Sequence, residues 1–149
     1  MKNLFTAFLS MFIIACSTPE KNANSKIEIY DDSVLDIIDI YSEIEELADS
    51  ISLPEGPVWD EASQSLLFVD VMGNKLYKWN ENDGTSEYIS PSGNTGYAPN
   101  VDFGLLGANG LLIDENGDII LCQHGDRRLA KINNSSTNSP SFTTLVDNY

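Results

Sequence analysis

The chain has 149 residues, with 23 Asp and Glu against 8 Lys and Arg, and a formal net charge of −15. A protein that binds nucleic acid needs a basic face to neutralise phosphates, so this balance excludes nucleic acid as an expected partner. Acidity of this kind suits cation binding, although net charge alone identifies no site.

The first 15 residues have the organisation of an export signal. Lys2 supplies a positive charge, and LFTAFLSMFIIA supplies an apolar segment of about a dozen residues, short for a bilayer crossing. The segment ends in IIAC, which resembles the bacterial lipobox, where the cysteine is lipidated. We therefore expect a lipoprotein signal peptide at 1–15, lipidation of Cys16, and an exported protein on the periplasmic or cell-surface side of an envelope membrane, anchored through lipid only. An ordinary secretory signal with an incidental cysteine is the alternative.

Residues 16–43 predict a tether followed by a short amphipathic segment. The polar run STPEKNANSK after Cys16 is typical of a linker. Apolar residues then recur at helical spacing over 34–47, which predicts a short amphipathic helix that begins near Ser33. An edge strand over SEIEELADSI is the alternative. Nine acidic residues and no basic residue fall within 28–49, so we interpret this part as a solvated face.

From Leu53 onward the pattern is that of short β-strands. Apolar or aromatic runs of about five to seven residues alternate with turns rich in Gly, Asn, Asp and Ser. The runs are GPVWD, SLLFVDV, NKLYKWN and GTSEYIS, and after a loop over 90–107 the pattern restarts with GLLID, GDIILCQ, RRLAKIN and SFTTLV. Cys122 lies in one of these runs and is expected to be a small core residue. With Cys16 lipidated, it has no disulfide partner within the chain.

The two halves of this region align with each other, at a period of about 53 or 54 residues and with four strands per unit. Glu55–Asp60 matches Asn109–Asp114, Leu66–Phe68 matches Ile119–Leu121, and Leu76–Trp79 matches Leu129–Ile132. Repeated four-stranded meanders at this spacing are the signature of β-propeller blades, and two unrelated meanders are the alternative. The sequence therefore predicts an all-β fold with blades at about 53–90 and 107–147.

Two blades do not close a propeller, which has four or more. We therefore expect the propeller region at 44–149 to be partial and truncated at its C-terminal side. The chain would then be an N-terminal fragment of a longer protein, with an open apolar edge.

Two polar residues stand at equivalent positions of the two units. Glu55 and Asn109 each precede a glycine at the start of the innermost strand, which lines the central channel of a propeller. Carboxylate and amide oxygens are the donors that Ca²⁺, Mg²⁺ or Mn²⁺ require. A carboxylate at a channel is costly unless a cation or hydrogen bond compensates it. A turn asparagine and a strand-edge glutamate without a ligand are the alternative.

Three longer stretches resemble a known family, the gluconolactonase-like proteins of the regucalcin or senescence marker protein type, and above all its exported bacterial members. They are EGPVWDEASQSLLFVDVMGNKLYKW, SPSGNTGYAPN and GANGLLIDENGDIILCQHGDRRLAKI. The resemblance implies a six-bladed β-propeller that hydrolyses a sugar lactone with one divalent cation in its channel. Ca²⁺ is the first expectation, with Mg²⁺, Mn²⁺ or Zn²⁺ as alternatives.

The resemblance also implies roles for individual residues. Glu55 falls on a metal-ligand carboxylate, and Asn109 falls on an asparagine that is a metal ligand or a substrate contact. The remaining ligands and the general base are implied beyond Tyr149, so no catalytic residue is assigned and this chain is expected to be inactive alone. The stretch HGDRR at 124–128 fits the family pattern without an assigned role. We expect His124 in a turn or loop, and Arg127 and Arg128 at a turn, paired with nearby acids.

Three functions follow as competing hypotheses. The first is a metal-dependent lactone hydrolase that takes a small sugar lactone, with its oligomeric state open. The second is a non-catalytic envelope β-propeller lipoprotein that binds a sugar or a protein partner, since a fold does not determine a function. The third is a hydrolase of another ester, such as a phosphotriester.

Overall fold

The computed structural model describes residues 27–98, 106–134 and 139–147. The predicted signal peptide and Cys16 lie outside these ranges. The chain divides into two units, Met1–Glu45 and Glu46–Tyr149, which are described separately below. Within the described ranges, no helix has the length and apolar character that a membrane crossing requires.

The described part of the first unit contains a single short helix. It is a five-residue 3₁₀ helix at Asp32–Asp36, and the Asp31 side chain caps it by accepting a hydrogen bond from the N–H of Ser33 at 2.9 Å. A short helix therefore begins near Ser33, as predicted, but it ends at Asp36, so the helical extent predicted over 34–47 is wrong. Residues 42–51 form neither helix nor strand, so the alternative of an edge strand there is wrong as well. Ile37 is 84% exposed. A short amphipathic helix gains most of its stability by packing its apolar face, and here most apolar residues of the segment are exposed, among them Leu35, Tyr41 and Ile44.

The second unit consists of two four-stranded antiparallel sheets, each with its strands in chain order. Sheet 1 contains β1 (Pro54–Asp60), β2 (Ser65–Asp70), β3 (Lys75–Asn80) and β4 (Gly84–Ile89); sheet 2 contains β5 (Ala108–Ile113), β6 (Ile119–Gln123), β7 (Arg128–Asn134) and β8 (Ser141–Asp147). Short polar turns connect most neighbouring strands, as antiparallel meanders require. The predicted pair of four-stranded meanders is confirmed.

The strand pairing confirms the predicted alignment of the two halves. Lys78 lies opposite Leu67 in sheet 1, and Lys131 lies opposite Ile120 in sheet 2. These are the pairs that the alignment makes equivalent. The sheets therefore share one register as well as one order of strands.

Both sheets also share a β-bulge at the same place in their first strand. The register shifts between Glu55 and Val58 in β1, and between Ala108 and Leu111 in β5. In each case an advance of three residues along the bulged strand pairs with an advance of two along its partner, so the bulged strand contains one extra residue. Of the predicted ligand positions, Glu55 is the last paired residue before the bulge of β1, and Asn109 lies within the bulge of β5.

The core lies between the two sheets. Leu67 and Val69 from β2 are at most 1% exposed, and they belong to one apolar cluster with Leu121 from β6. The predicted core position of Cys122 is wrong, because its side chain is exposed. Successive side chains of a strand point to opposite faces, so the burial of Leu121 and Gln123 places Cys122 on the far face of sheet 2.

The first strands of the two sheets touch through their backbones at Gly56. This residue has a φ of +55°, and a Cβ added to it would lie 2.4 Å from the carbonyl oxygen of Asn109. Glycine suits the position for two reasons, since it adopts a left-handed conformation without strain and it allows the close approach. The contact sets the separation of β1 and β5.

Substitution of Gly56 should therefore lower the free energy of unfolding by more than the strain of a positive φ alone would. Gly84 also has a positive φ, of +68°, but nothing lies within 4 Å of an added Cβ. We expect Gly84→Ala to lower the free energy of unfolding by about 1–2 kcal/mol, and Gly56→Ala to lower it by about 3–5 kcal/mol because the overlap adds to the conformational cost. Urea denaturation of both variants measures the difference, and equal losses would contradict the close contact.

Candidate functional site

The structure places Glu55 and Asn109 at the same position of neighbouring strands. Each is the second residue of its strand, in β1 and β5, and each side chain is exposed. The contact between Gly56 and the carbonyl of Asn109 brings the two segments together. Their joint binding of a cation stays a prediction.

The two side chains supply a carboxylate and a carboxamide oxygen, which are donors suited to a hard divalent cation. Across the part of the chain that the structure describes, no group of three or more His, Cys, Asp or Glu side chains is placed to hold a metal ion. Hard cations of this kind take about six or more oxygen ligands, supplied by protein or water. Glu55 and Asn109 therefore fit such an ion in chemistry, as two members of a larger ligand set.

Glu55 also borders an open cavity of about 220 Å³ on sheet 1. The other lining residues are apolar: Leu47, Ala48, Pro54, Pro57, Leu66 and Phe68. A carboxylate beside an apolar wall suits a ligand with one polar end and one less polar face.

Asp70, at the end of β2, holds the chain that leads into Glu55. Its carboxylate accepts hydrogen bonds from the N–H groups of Ser52 at 3.2 Å, Leu53 at 3.1 Å and Gly73 at 3.0 Å. The residue is 4% exposed. A buried carboxylate that accepts several backbone hydrogen bonds fixes the segments that donate them. Asp70 therefore orients the chain two residues before Glu55.

The surroundings of Asp70 act on its pKa in opposite directions. Burial raises the pKa, while hydrogen bonds from the N–H groups of Gly73, Ser52, Leu53 and Met72 lower it. Together these hydrogen bonds outweigh burial, so the pKa of Asp70 lies below its ordinary value. The folded state therefore favours the ionised carboxylate.

In sheet 2 the position equivalent to Asp70 is Gln123, which performs a similar task through a network. Its Nε2 donates to the carbonyl of Ser92 at 2.9 Å, and its Oε1 accepts from Nε of Arg128 at 2.6 Å. Oγ of Ser92 accepts a hydrogen bond from the N–H of Ala108 at 3.1 Å. The network therefore holds the residue directly before Asn109.

Asp126 and Arg128 extend this network and fasten the loop at 90–98 to sheet 2. Asp126 is 1% exposed and accepts hydrogen bonds from the N–H groups of Thr95 at 3.0 Å and Tyr97 at 3.2 Å. Arg128 lies 3.3 Å from the Asp126 carboxylate, and its guanidinium carbon stands 4.0 Å from the centre of the Tyr97 ring. Because both charges have hydrogen-bond partners, their burial is tolerated.

Asn74 fastens the same loop to sheet 1. Its Oδ1 accepts hydrogen bonds from three successive N–H groups, those of Ser92 at 3.2 Å, Gly93 at 2.9 Å and Asn94 at 3.1 Å. Its Nδ2 donates to the carbonyl of Asn94 at 3.0 Å. The loop is thus held by polar side chains of both sheets and links them beside Ala108.

The stretch HGDRR now has a structural role. The predicted pairing of Arg128 with an acid is confirmed, since its partner is Asp126. Its predicted place in a turn is wrong, because Arg128 is the first residue of β7. His124 lies in the turn between β6 and β7, as expected, and Arg127 in the same turn has a φ of +54°. The sequence did not predict this buried network. Alternation along a strand predicts which strand residues face inward, but the loop at 90–98 has no periodic pattern, so its contacts with those residues were missed.

The comparisons with known proteins agree with this architecture. The family described as SMP-30/Gluconolactonase/LRE-like region matches residues 53–148. A gluconolactonase of Zymomonas mobilis subsp. mobilis is 33% identical over 113 residues, which are 76% of this chain and 31% of that protein. Regucalcin of Oryctolagus cuniculus is 65% identical over 26 residues, which are 17% of this chain and 9% of that protein.

A solved structure is also similar in fold. The structure of a gluconolactonase from Xanthomonas campestris matches with a TM-score of 0.54 at 22% identity, over 69% of this chain and 29% of that chain. The two repeated antiparallel sheets define a β-propeller-like protein. The chain belongs to the SMP-30/Gluconolactonase/LRE-like family, as its sequence motifs predicted. It spans about a third of the length of these two gluconolactonases.

The buried carboxylate of Asp70 makes a prediction about pH. We expect Asp70→Asn to lower the free energy of unfolding by about 1–3 kcal/mol at pH 7, because hydrogen bonds to a charged acceptor are replaced by weaker ones. A folded pKa below the unfolded value gives stability that is present above the unfolded pKa and lost as pH falls through the folded pKa. The difference between wild type and variant should therefore be constant above about pH 5 and shrink towards pH 2.

Urea denaturation at a series of pH values measures this difference. The other carboxylates titrate in both proteins, so the comparison isolates Asp70. A difference that grows as pH falls would contradict the role assigned to its ionised form.

Proposed function

We propose that the protein formed by these two sheets and further sheets of the same kind hydrolyses a sugar lactone with the help of one divalent cation. Ca²⁺ is the first candidate, with Mg²⁺, Mn²⁺ and Zn²⁺ next, and the complete fold is a six-bladed propeller. The observation that carries the proposal is the placement of Glu55 and Asn109 at one position of adjacent, register-equivalent strands. Family membership and the gluconolactonase relative support it.

In this mechanism Glu55 holds the cation. Its carboxylate is exposed at the start of β1, and the hydrogen bond from the N–H of Leu53 to Asp70 fixes the chain two residues earlier. When bound, the cation supplies Lewis-acid stabilisation for the oxygen of the lactone carbonyl, where negative charge develops. The role of Glu55 is therefore to bind and position rather than to transfer a proton.

Asn109 contributes a second oxygen donor and an N–H donor. Its carboxamide oxygen suits the cation, while its nitrogen can donate a hydrogen bond to a sugar hydroxyl or carbonyl oxygen. The network of Gln123 and Ser92 fixes Ala108, so the strand presents Asn109 in one place. We place the remaining ligands, and the carboxylate that deprotonates the attacking water, beyond Tyr149, as the family resemblance implies.

A chimera tests this function directly. Residues 53–148 replace the aligned part of the Zymomonas mobilis gluconolactonase, and lactone hydrolysis is followed by the acid it releases. We expect metal-dependent turnover, and we expect Glu55→Gln in the chimera to lower kcat/KM by about 100-fold or more because it removes a charged ligand. Glu61→Gln is the matched control, since this residue lies in the turn at the opposite end of β1 and accepts a hydrogen bond from Trp59.

The outcomes separate enzyme from binding protein. The 149-residue chain assayed alone is expected to show no turnover. Metal-dependent turnover there would contradict the proposal that the remaining ligands and the general base lie beyond Tyr149. A folded chimera that binds the cation but hydrolyses no lactone would favour the non-catalytic, sugar- or protein-binding alternative. Equal activity in Glu55→Gln and Glu61→Gln would remove Glu55 from the site.

We also propose that the protein is exported and anchored to an envelope membrane through lipid on Cys16. The apolar segment before this cysteine and the polar tether after it support the proposal. We expect a palmitate analogue fed to a bacterial host to label the wild-type chain and Cys122→Ser, and to leave Cys16→Ser unlabelled. Cys122→Ser is the control because its exposed thiol lies in sheet 2. Labelling of Cys16→Ser would contradict the anchor.

A further inference from the structure

Arg128, the first residue of β7, makes directed contacts with several parts of sheet 2. Its Nε donates to Oε1 of Gln123 at 2.6 Å, and one terminal nitrogen donates to Oγ1 of Thr144 at 2.8 Å. The other terminal nitrogen lies 3.3 Å from the carboxylate of Asp126. The residue is 5% exposed. A guanidinium is planar and presents its donors in fixed directions, so each of these contacts constrains the others.

The hydrogen bond from Arg128 determines which way the buried carboxamide of Gln123 points. A carboxamide has an acceptor end and a donor end, and either can face a neighbour, whereas a guanidinium only donates. The acceptor Oε1 therefore faces Arg128. The donor Nε2 then faces the carbonyl of Ser92, to which it donates at 2.9 Å. Arg128 thus selects one of two possible orientations of Gln123.

Sheet 1 has different chemistry at the two equivalent positions. Asp70 pairs with Lys75 there, as Gln123 pairs with Arg128 in sheet 2. Either oxygen of the Asp70 carboxylate accepts hydrogen bonds, so no neighbour is needed to choose its orientation. Lys75 instead forms an ion pair with Glu87 at 2.8 Å, and its side chain is 38% exposed. A buried cation beside the orienting residue is therefore a feature of sheet 2.

Ser92 passes the orientation of Gln123 on to the beginning of β5. Its carbonyl accepts the hydrogen bond from Gln123, and its Oγ accepts one from the N–H of Ala108 at 3.1 Å. Ser92 and Ala108 are both 0% exposed. The register of β5 with β6 then passes from Ala108 to Leu111, with Asn109 inside the bulge. Ala108 is therefore the last paired residue before Asn109.

We propose that Arg128 is a positioning residue for Asn109. It fixes Gln123, and through Ser92 and Ala108 it determines where Asn109 meets the cation or the sugar. This inference rests on the proposed function, in which Asn109 contacts one of these ligands. Since β6 separates β7 from β5 in the sheet, Arg128 acts through the network and not on the ligand itself.

The chimera with the Zymomonas mobilis gluconolactonase tests the link through activity. Arg128→Lys keeps the positive charge but loses the planar set of donors, so we expect kcat/KM to fall by about 10-fold or more. In an Asn109→Ala background the same substitution should have no further effect, because the residue that it positions is gone. Lys75→Gln is the matched control at the equivalent position of sheet 1 and should leave kcat/KM unchanged in both backgrounds.

This double-mutant cycle separates positioning from a general structural role. If Arg128 only stabilised the fold, Arg128→Lys would lower kcat/KM by the same factor with Asn109 present and with Asn109 replaced. That result would overturn the proposal, as would an Arg128→Lys chimera with the activity of the parent. Thermal unfolding checks that each variant is folded.

Hydrogen exchange in the 149-residue chain tests the same link without any lactone hydrolysis. The N–H of Ala108 bonds to Ser92, while the N–H of Val71 bonds to the carbonyl of Leu53 at 3.0 Å beside sheet 1. We expect Arg128→Lys to speed exchange of the Ala108 amide by about 10-fold or more and to leave the Val71 amide unchanged. Equal acceleration of both amides, or of neither, would overturn the proposal.

The two measurements keep this proposal distinct from the proposed function. A chimera without lactone hydrolysis would contradict the function, and the exchange of the Ala108 amide would still decide whether Arg128 holds the start of β5. An active chimera with an unchanged Ala108 amide in Arg128→Lys would keep the function and overturn the positioning role.

Discussion

The close approach of two backbones at Gly56 is the constraint on which the candidate site depends. A Cβ at this position would stand 2.4 Å from the carbonyl oxygen of Asn109, so the strands meet at a distance that only glycine permits. Because this contact lies inside the first bulge of each sheet, it brings the positions of Glu55 and Asn109 to the same level. The sheet-on-sheet core stabilises the pair of sheets, but the glycine contact determines where the two polar residues lie.

The sheets hold the beginnings of these strands with different chemistry at one equivalent position. In sheet 1 the buried carboxylate of Asp70 accepts backbone hydrogen bonds from the segment before β1. In sheet 2 the equivalent Gln123 is neutral. The charged residues there are Asp126 and Arg128, which hold the loop at 90–98. A shared fold therefore does not require a shared polar network. It requires only that each buried polar group is satisfied by a partner.

The sequence predicts the strands, their register and the equivalence of Glu55 and Asn109, because alternation of apolar residues and turn chemistry are local properties. It fails where the outcome depends on distant surfaces. The helical spacing at 34–47 predicts a helix, but an apolar stripe forms one only when something packs against it. Cys122 lies in an apolar run, yet whether its face is covered depends on which sheets are adjacent. Asp126 and Arg128 both contact Thr95 and Tyr97 in a loop about thirty residues away, and no local pattern of the kind used here identifies these contacts.

The paired bulges separate two roles within a single strand. Side chains before and after the bulge alternate between the two faces of the sheet in opposite phase, because the extra residue reverses this alternation. Val58 and Leu112 therefore keep the same apolar character while the residues three positions earlier, Glu55 and Asn109, differ in charge. This arrangement is modular: the polar end of each strand can be exchanged for a new specificity, and the hydrophobic packing of the sheets stays undisturbed.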